Sequence, residues 1–449
     1  MKILVIGNGF DLAHGLPTSY IDFLEFCKRA RKIFTYPDSV VVEQYEDENL
    51  QGWEISDYVK MRLNNAFKNR EYKKEDGDTA ITSDAALNEL YLYINQNTWL
   101  EYFLDCPSYV GENWIDFESE IANVVRSLDD ARTITKNGED ILDIRDEKGK
   151  ILLSLVKAAK TTLQTVFIDV RAIEKFSKHL YIELERLTRA LEIYISEFVR
   201  NINVEKKSVD IDNLNPDHIL SFNYSDTYER VYGNGIEIEY DYMHGKADIN
   251  NTIQTNNMVL GIDEYLSEEL KDKDTEFIVF KKYYQRIYKK SKRLTEVWCA
   301  EIKKEAEYEK NSRKFMLEEQ IGYELVSEES GLNYSWQNHE RLTRAYEEQY
   351  DALHPKHEIY IFGHSLDVTD KDVLRDLLLN DNVHTTIFYC KKKDKFGNYD
   401  NGRNDYGKKI ANLVKVIGQD ELKRRTGGVA KNIEFKLQQD MVVIKETKK

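Results

Sequence analysis

The N-terminal segment places the strongest constraint on how this chain can fold. Four consecutive apolar residues, Ile3 to Ile6, are followed at once by Gly7, and Gly9 comes two positions later. A short apolar run that ends in glycine is typical of a strand in a parallel sheet that is covered on both faces. Glycines at such a turn let the backbone approach a ligand, and a following helix directs its positive end toward a phosphate. The segment therefore predicts an α/β fold with a candidate nucleotide site at its first strand.

The same glycines match neither of two common phosphate-binding motifs. Leu12 stands where the third glycine of the G-x-G-x-x-G dinucleotide fingerprint belongs, and no G-K-[ST] follows as in a P-loop. A Gly-x-Gly pair after a strand is equally consistent with a tight strand-to-helix turn that binds nothing. The motif leaves both interpretations open.

Composition limits the classes of partner. The chain has 449 residues, enough for two or three structural units, and its formal net charge of −16 argues against broad attraction to nucleic acid. The N-terminus lacks a signal-peptide pattern, and no apolar run reaches membrane-spanning length. We therefore expect a cytoplasmic protein without a membrane partner. The four cysteines form no C-x-x-C pair, so we expect buried thiols and no thiolate zinc site.

Helical periodicity dominates the middle of the chain. Apolar residues recur at helical spacing from Lys157 to Ile202, and a charged helical pattern extends from Ser267 to Tyr350. Ser19 to Arg31 reads as a shorter amphipathic helix. Within the charged pattern, Lys281 to Arg293 is rich in basic residues. We interpret this basic segment as a solvated helix face, with contact to nucleic acid as the less favoured alternative.

An acidic motif runs from Asn113 to Glu120, and Asp116 and Glu120 lie four residues apart in it. The favoured interpretation is the N-terminus of a helix, whose dipole is stabilised by acidic residues. The alternative is a pair of carboxylates that reaches a cleft and holds a metal ion. Like charges one turn apart need a cation or solvent to be tolerated.

Three apolar segments end in polar clusters. The first ends in Gly7-Asn8-Gly9, the second (His218 to Phe222) in Asn223, and the third (Glu358 to Phe362) in Gly363-His364-Ser365. Ligands of open α/β sheets bind at the carboxyl ends of the strands. We therefore expect the three clusters to line one crevice, with His244 as an additional candidate base.

Other segments complete the predicted core. His384 to Cys390 and Met258 to Asp263 read as further strands, and Phe435 to Ile444 as an edge strand. Asp370 or Thr369 is a plausible N-cap for the helix that follows the third strand.

Four motifs in the same order resemble those of the sirtuins. Gly7 to Pro17 resembles their glycine-rich turn followed by Gly-Ile-Pro, and Ser221 to Ser225 looks like their Thr-Gln-Asn-Ile-Asp segment. His244-Gly245 is similar to their catalytic His-Gly, and Gly363 to Leu366 to their Gly-Thr-Ser-Leu. A closer resemblance, over nearly the whole chain, is to the AbiH family of bacterial abortive-infection proteins. It is carried by Gly7 to Thr18 together with Phe362 to Asp370.

These resemblances imply an NAD site on a Rossmann-like, sirtuin-like parallel sheet. Asn223 would orient the nicotinamide-side ribose or a water, and His244 would act as general base. The implied cofactor-binding residues are Gly7, Asn8 and Gly9 at the pyrophosphate, Ser365 on the adenosine side, and Asp11, Gly15, Ser221, Gly363, His364 and Asp367. NAD would be the substrate, and no metal is predicted.

Differences from the sirtuin motifs limit which of the sirtuin activities we expect. Phe222 replaces the sirtuin glutamine, and the chain lacks the cysteine quartet of the structural zinc, so protein deacylation is not expected. Asp11 would repel a pyrophosphate unless it turns toward a ribose hydroxyl. His244 and Asn223 also have structural interpretations, as a hydrogen-bonded core residue and a turn residue. His14 is expected to pack within the first helix.

The predicted organisation is a discontinuous core with two helical insertions. The core comprises residues 1–30, 205–265 and 355–449, and the insertions comprise 31–204 and 266–354. The leading function is an anti-phage effector that hydrolyses NAD, or a related nucleotide, at the N-glycosidic bond. The alternatives are a metal-dependent nuclease that uses Asp11 with Asp116, Glu118 or Glu120, and a non-catalytic nucleotide sensor. The sequence is compatible with a homo-oligomer and does not identify the phage-derived trigger.

Overall fold

A computed structural model describes most of the chain. The described residues are 1–73, 79–106, 116–137, 146–233, 235, 237–291, 293–329, 340, 356–391, 400, 402–427 and 431–444. Asn113 to Ile115 of the acidic motif lie outside this part of the chain. So does the end of the charged helical pattern at Tyr350.

Six parallel strands form the central sheet, in the order β6-β5-β1-β7-β8-β9. The strands of the described chain are β1 (Lys2–Ile6), β2 (Glu71–Lys73), β3 (Thr79–Ile81), β4 (Lys206–Lys207), β5 (His218–Ser221), β6 (Glu239–Tyr242), β7 (His357–Phe362), β8 (Val383–Tyr389), β9 (Ile433–Leu437) and β10 (Val442–Val443). The α/β class with a parallel sheet is confirmed. Its finer description as Rossmann-like or sirtuin-like stays a prediction.

Helices pack on the sheet and form a separate layer. The α-helices are α1 (Asn8–Ala13), α2 (Tyr20–Thr35), α3 (Val42–Asn49), α4 (Asp57–Lys68), α5 (Ala85–Ile94), α6 (Thr98–Leu104), α7 (Phe117–Asn137), α8 (Glu147–Ala158), α9 (Leu163–Val166), α10 (Val170–Ile193), α11 (Val209–Asp212), α12 (Thr227–Tyr232), α13 (Lys282–Tyr288), α14 (Leu294–Glu329), α15 (Lys371–Leu378), α16 (Arg403–Ile417) and α17 (Gln419–Thr426). A π-helix spans Tyr194–Val199, and 3-10 turns span Ile278–Phe280 and Val368–Asp370.

Strand β1 lies near the middle of the sheet because its residues are apolar on both faces. Ile3 and Val5 pack in one cluster, which includes Leu374 of α15. Leu4 and Ile6 pack in another on the opposite face, with Phe10 of α1 as a neighbour. A strand buried on both sides needs a continuous apolar run rather than an alternating one. The order of strands along the chain reverses at β1, where open α/β sheets place their ligands.

Helix α2 confirms the amphipathic helix expected after Pro17. Ser19 and Asp22 form a reciprocal capping box at its start. Phe23, Phe26 and Cys27 are buried in the core of the helical layer. The local sequence thus determines both where this helix begins and which face it buries.

The helical pattern expected from Lys157 to Ile202 is confirmed, and the structure divides it among several helices. Helix α8 ends at Ala158, α9 is a short piece, and α10 begins after Asp169 and continues into the π-helix. Thr162 and Asp169 each accept a hydrogen bond from a backbone N–H of the following turn. Each of these two N-caps begins a new helix, although the apolar pattern of the sequence runs on without a break.

Three other expectations are corrected. Residues 258–262 form no strand, and only Ile262 makes an isolated bridge, to Lys281. The expected edge strand divides in two, since β9 pairs with β8 whereas β10 pairs antiparallel with β4. The charged pattern from Ser267 becomes helical only from Ile278 onward.

In the part of the chain that the structure describes, no helix has both the length and the apolar character that crossing a membrane requires. Helix α14 is the longest of the described helices and is rich in Glu and Lys.

Gly363→Ala should destabilise the protein by at least about 2 kcal/mol, measured by chemical unfolding. Gly363 has a φ of +69°, and a Cβ atom there would lie 2.1 Å from the backbone nitrogen of Phe10. The matched control is Gly407→Ala within α16, where a Cβ atom would have nothing within 4 Å. The control should stabilise by about 0.5–1 kcal/mol. Equal effects of the two substitutions would contradict the close approach of the backbones at Gly363.

Candidate functional site

A cavity of about 810 Å³ opens at the carboxyl ends of β1, β5 and β7. All three polar clusters reach it, together with His244. The expected site residues that line it are Gly7, Asn8, Gly9, Asp11, Asn223, His244, Gly363, His364, Ser365 and Asp367. The structure therefore brings these residues to one cavity, and their roles toward NAD stay predictions.

Two expected residues do not line the cavity. Gly15 is exposed and adopts a φ of +75° at the turn after α1. Ser221 is buried, and its hydroxyl contacts the backbone N–H and carbonyl of Asn223, each at 3.1 Å. Both residues therefore have local structural roles, Gly15 in a turn and Ser221 in contacts with the backbone of Asn223.

Gly7 and Gly9 allow the turn after β1 to pack closely against the turn after β7. The N–H groups of Gly7 and Gly9 donate to the carbonyls of Phe362 and Gly363, at 3.3 and 2.8 Å. A Cβ atom on Gly7 would lie 2.8 Å from the Cα of His364, and one on Gly9 would lie 2.7 Å from the carbonyl oxygen of Gly363. In this conformation, the two N–H groups are engaged within the protein. They are therefore not donors for the pyrophosphate that the resemblance implies.

Asn223 lies just after β5, and only one of the two polar atoms of its side-chain amide makes a hydrogen bond. Its Nδ2 donates to the carbonyl oxygen of Gly7 at 3.0 Å, which ties the ends of two neighbouring strands together. Its Oδ1 is buried and has no hydrogen-bond partner in the structure. A buried acceptor of this kind costs free energy unless a ligand or water satisfies it.

Asp11 presents a second such acceptor. Its Oδ2 accepts from the Ser225 hydroxyl at 2.6 Å, which in turn accepts from the Thr227 hydroxyl at 3.0 Å. Its Oδ1 is buried and has no partner. Burial raises the pKa of Asp11 to about 6, against the opposing effect of these hydroxyl contacts. A carboxylate held this way in a cavity is typical of functional sites.

His244 and His364 face the same carboxylate. The Nε2 atom of His244 lies 3.6 Å from Oδ1 of Asp370, and Nε2 of His364 lies 3.4 Å from its Oδ2. Asp370 occupies the N-cap position of α15, as the sequence predicts, but its side chain makes no capping hydrogen bond. Asp367 instead accepts from the Thr369 N–H at 3.2 Å and caps the 3-10 turn.

Burial controls the charges of these groups. It lowers the pKa of His244 to about 4, and the neighbouring Lys282 ammonium acts in the same direction. Burial alone would raise the pKa of Asp370. The Lys282 charge and the two imidazole contacts outweigh it, and the pKa lies well below its ordinary value. At neutral pH, His244 is therefore neutral and Asp370 is ionised.

The basic segment from Lys281 to Arg293 is not a solvated face at its start. Lys281 and Lys282 are buried, and they pair with Glu264 and Glu118 at 2.8 and 2.7 Å. Arg286, one turn after Lys282, donates to Nδ1 of His244 at 3.4 Å. The expectation fails for Lys281 and Lys282 because carboxylates of other segments pair with them in the interior, whereas Lys290 and Arg293 at the end of the segment are exposed.

Sequence reasoning did not find Lys282, Arg286 or Asp370 as parts of this site. The spacing of Lys282 and Arg286, four residues apart on one helix face, was the available signal. It shows which residues share a face but not what that face contacts.

The three acidic residues of the motif that the structure describes have different contacts. Asp116 accepts from the N–H of Glu118 at 3.0 Å and from the Ser119 hydroxyl at 2.8 Å, so it caps α7. Glu120 accepts from Tyr102 at 3.3 Å rather than pairing with Asp116. Glu118 lines the cavity, and burial raises its pKa to about 7 despite the nearby Lys282.

His14 is structural, as expected. Its two ring nitrogens contact the carbonyl oxygen of Phe10 and the hydroxyl of Tyr232, both at 2.7 Å. It is buried at the end of α1 and does not line the cavity.

The lining of the cavity is acidic. Its carboxylates are Asp11, Asp116, Glu118, Asp367 and Asp370, and no described Lys or Arg lines it. Lys282 and Arg286 stand behind the lining. No group of three or more His, Cys, Asp or Glu is placed to hold a metal ion within the described ranges.

Asp11→Asn should stabilise the protein at neutral pH by about 3 kcal/mol. The folded protein holds this carboxyl at a pKa of about 6, above that of the unfolded chain, so ionisation opposes folding. The gain should grow as pH rises from about 4 to about 6 and then stay constant.

Urea unfolding of Asp11→Asn at several pH values measures this gain. Asp210→Asn is the control, because Asp210 is buried but accepts from Gln439 at 2.7 Å. The control should show no gain. A less stable Asp11→Asn protein at neutral pH would overturn the interpretation of this carboxylate.

Comparison with known proteins identifies the family. Residues 3–390 match the family model described as bacteriophage abortive infection AbiH. No curated protein and no solved structure matches the chain. The similarity to sirtuins therefore stays a prediction. The match covers well over half of the sequence, and the chain belongs to the AbiH family of bacteriophage abortive-infection proteins.

Proposed function

We propose that this abortive-infection protein hydrolyses NAD, or a closely related nucleotide, at the N-glycosidic bond between nicotinamide and ribose. The observation that carries the proposal is that Oδ1 of Asp11 and Oδ1 of Asn223, near the ends of neighbouring strands, are two of the three buried acceptors without partners in the wall of one cavity, the third being Oδ1 of Asp370. Asn223 follows β5, and Asp11 lies in the helix that follows the adjacent strand β1, at the position where α/β sheets bind nucleotides.

The two acceptors suit a ligand that brings hydroxyl donors. Buried polar atoms in proteins are nearly always hydrogen-bonded, so these two call for donors from outside the chain. A ribose offers hydroxyl groups, and an attacking water offers two further donors. The Asn223 amide is held by Gly7 at 3.0 Å, so its orientation is set before a ligand arrives.

The charge of the cavity suits the reacting end of NAD. Cleavage of the N-glycosidic bond builds positive charge on the ribose, and the nicotinamide ring is cationic before it leaves. Carboxylates that face such a charge stabilise it in a site that excludes water. Asp11, ionised above a pKa of about 6, is the buried example. The neutral side chains of Asn8, Thr18 and Ser365 line the same cavity and contribute polar contacts without charge.

His244 is available as a proton acceptor in its neutral form. Its low pKa keeps it unprotonated at neutral pH. Arg286 donates to its Nδ1 at 3.4 Å from behind the cavity lining, so proton transfer from a substrate hydroxyl or water to Nδ1 requires this long contact to break. Catalytic hydrogen bonds are often long before the substrate binds.

The test measures nicotinamide release from NAD by the purified protein, and NAD levels in phage-infected cells that express it. Asn223→Ala and His244→Ala should each reduce release by at least about 100-fold. His384→Gln is the matched control, because His384 lies on β8 and does not line the cavity. The control should retain activity.

Other outcomes separate the alternatives. If the wild-type protein releases no nicotinamide and NAD does not fall during infection, the proposal is wrong. Degradation of nucleic acid that stops with EDTA would favour a nuclease. Tight nucleotide binding without turnover, unaffected by His244→Ala, would favour a sensor.

A further inference from the structure

Asp370 occupies an unusual place between two imidazoles. It ends the 3-10 turn Val368–Asp370, its side chain makes no capping hydrogen bond to α15, and that side chain is only 11% exposed. One oxygen faces Nε2 of His244 at 3.6 Å and the other faces Nε2 of His364 at 3.4 Å. The carboxylate therefore joins histidines that follow two separate strands.

The hydrogen bond at Nδ1 of each imidazole determines which ring nitrogen carries the proton. The backbone N–H of Leu366 donates to Nδ1 of His364 at 2.9 Å, and Arg286 donates to Nδ1 of His244 at 3.4 Å. A neutral imidazole carries one donor and one acceptor. Since Nδ1 accepts in both rings, the proton of each neutral ring lies on Nε2, the nitrogen that is 3.6 Å from Asp370 in His244 and 3.4 Å from it in His364. Oδ1 of Asp370 is buried and has no hydrogen-bond partner in this conformation, so the ion-pair distances and not a formed hydrogen bond carry the assignment for His244.

Charged groups from other elements keep this arrangement in place. Lys282 of α13 lies 3.8 Å from Asp370 and 2.7 Å from Glu118 of α7. Asp263 acts on the same ammonium and raises its pKa together with these two carboxylates. Arg286 is the other cation that faces His244. The ammonium favours the ionised form of Asp370, which can then accept from both rings.

Phe222 contacts both imidazoles. Its ring lies edge-on to both, with centroids 4.3 Å from His364 and 5.6 Å from His244. Edge-to-face contacts of this kind favour the observed orientation of the rings. This position is the one at which the chain departs from the sirtuin glutamine.

We propose that Asp370 is a positioning residue that holds His244 and His364 in their Nε2–H tautomers, and that Lys282 keeps it ionised for this purpose. The lone pair of His244 is then always at Nδ1. When Nδ1 takes a proton from water or from a ribose hydroxyl, Asp370 stabilises the imidazolium that forms. The tautomer assignment stands on geometry alone, and the catalytic part rests on the proposed function.

Nitrogen NMR of the full-length protein with ¹⁵N-labelled histidine tests the assignment without any substrate. His244→Gln and His364→Gln identify the two sets of ring signals. In the wild-type protein at neutral pH, both rings should show protonated Nε2 and unprotonated Nδ1. In Asp370→Asn, at least one ring should change to a mixture of tautomers. A protonated Nδ1 in either wild-type ring would overturn the proposal.

Activity supplies the second readout. Asp370→Asn should reduce kcat for nicotinamide release by about 10- to 100-fold with little change in KM, the range found for carboxylates that orient metal-ligating histidines. Asp372→Asn is the control, since Asp372 is exposed two residues further along in α15. It should change neither the tautomers nor kcat.

The two readouts distinguish the failures. Wild-type tautomers as expected, without nicotinamide release, would remove the proposed function and keep the positioning role of Asp370. Unchanged tautomers and kcat in a folded Asp370→Asn protein would remove the positioning role, whatever the activity. If Asp370→Asn does not fold, Lys282→Gln replaces it, and the wild-type spectrum alone still decides the assignment.

Discussion

The packing of two glycine turns against each other is the contact on which the candidate site depends. The turn after β1 lies with its backbone against the turn after β7, and the Gly9 N–H donates to the Gly363 carbonyl at 2.8 Å. A Cβ atom at Gly7, Gly9 or Gly363 would overlap the backbone of the opposite turn. Because this contact sets the separation of two strand ends, it also sets where Asp11 and His364 stand on the cavity wall.

Behind that wall, buried charges connect parts of the chain that are remote in sequence. Glu118, Lys282 and Asp370 belong to three different elements, and the Lys282 ammonium lies 2.7 Å from Glu118 and 3.8 Å from Asp370. Buried ions are tolerated only when they are paired, so the elements that carry these residues must dock together. Asp11 differs, since burial raises its pKa and one of its oxygens is unpaired. A ligand that donates a hydrogen bond to this oxygen would offset the free-energy cost of burying the Asp11 carboxylate.

Membership of the AbiH family connects this chain to defence against bacteriophage, and the cavity suggests the chemistry. The acidic side chains of its lining are not matched by any described Lys or Arg there, so the cavity suits hydroxyl donors and developing positive charge better than phosphates. The resemblance implies that the glycine turn holds a pyrophosphate, yet the N–H groups of Gly7 and Gly9 are used within the protein. The proposed reaction therefore depends on Asp11, Asn223 and His244 more than on the glycines.

The sequence by itself determined the strand–turn units and their meeting at one edge of a parallel sheet. Apolar runs, glycines and the capping box of α2 act locally, so their signals can be read along the chain. Only the tertiary structure decided that Lys282 is buried, that Asp370 leaves its helix uncapped to face two histidines, and that Gly15 stays outside the cavity. The reason is physical, because the charge and exposure of a side chain depend on what packs across from it. Periodicity identifies a face but does not name its partner.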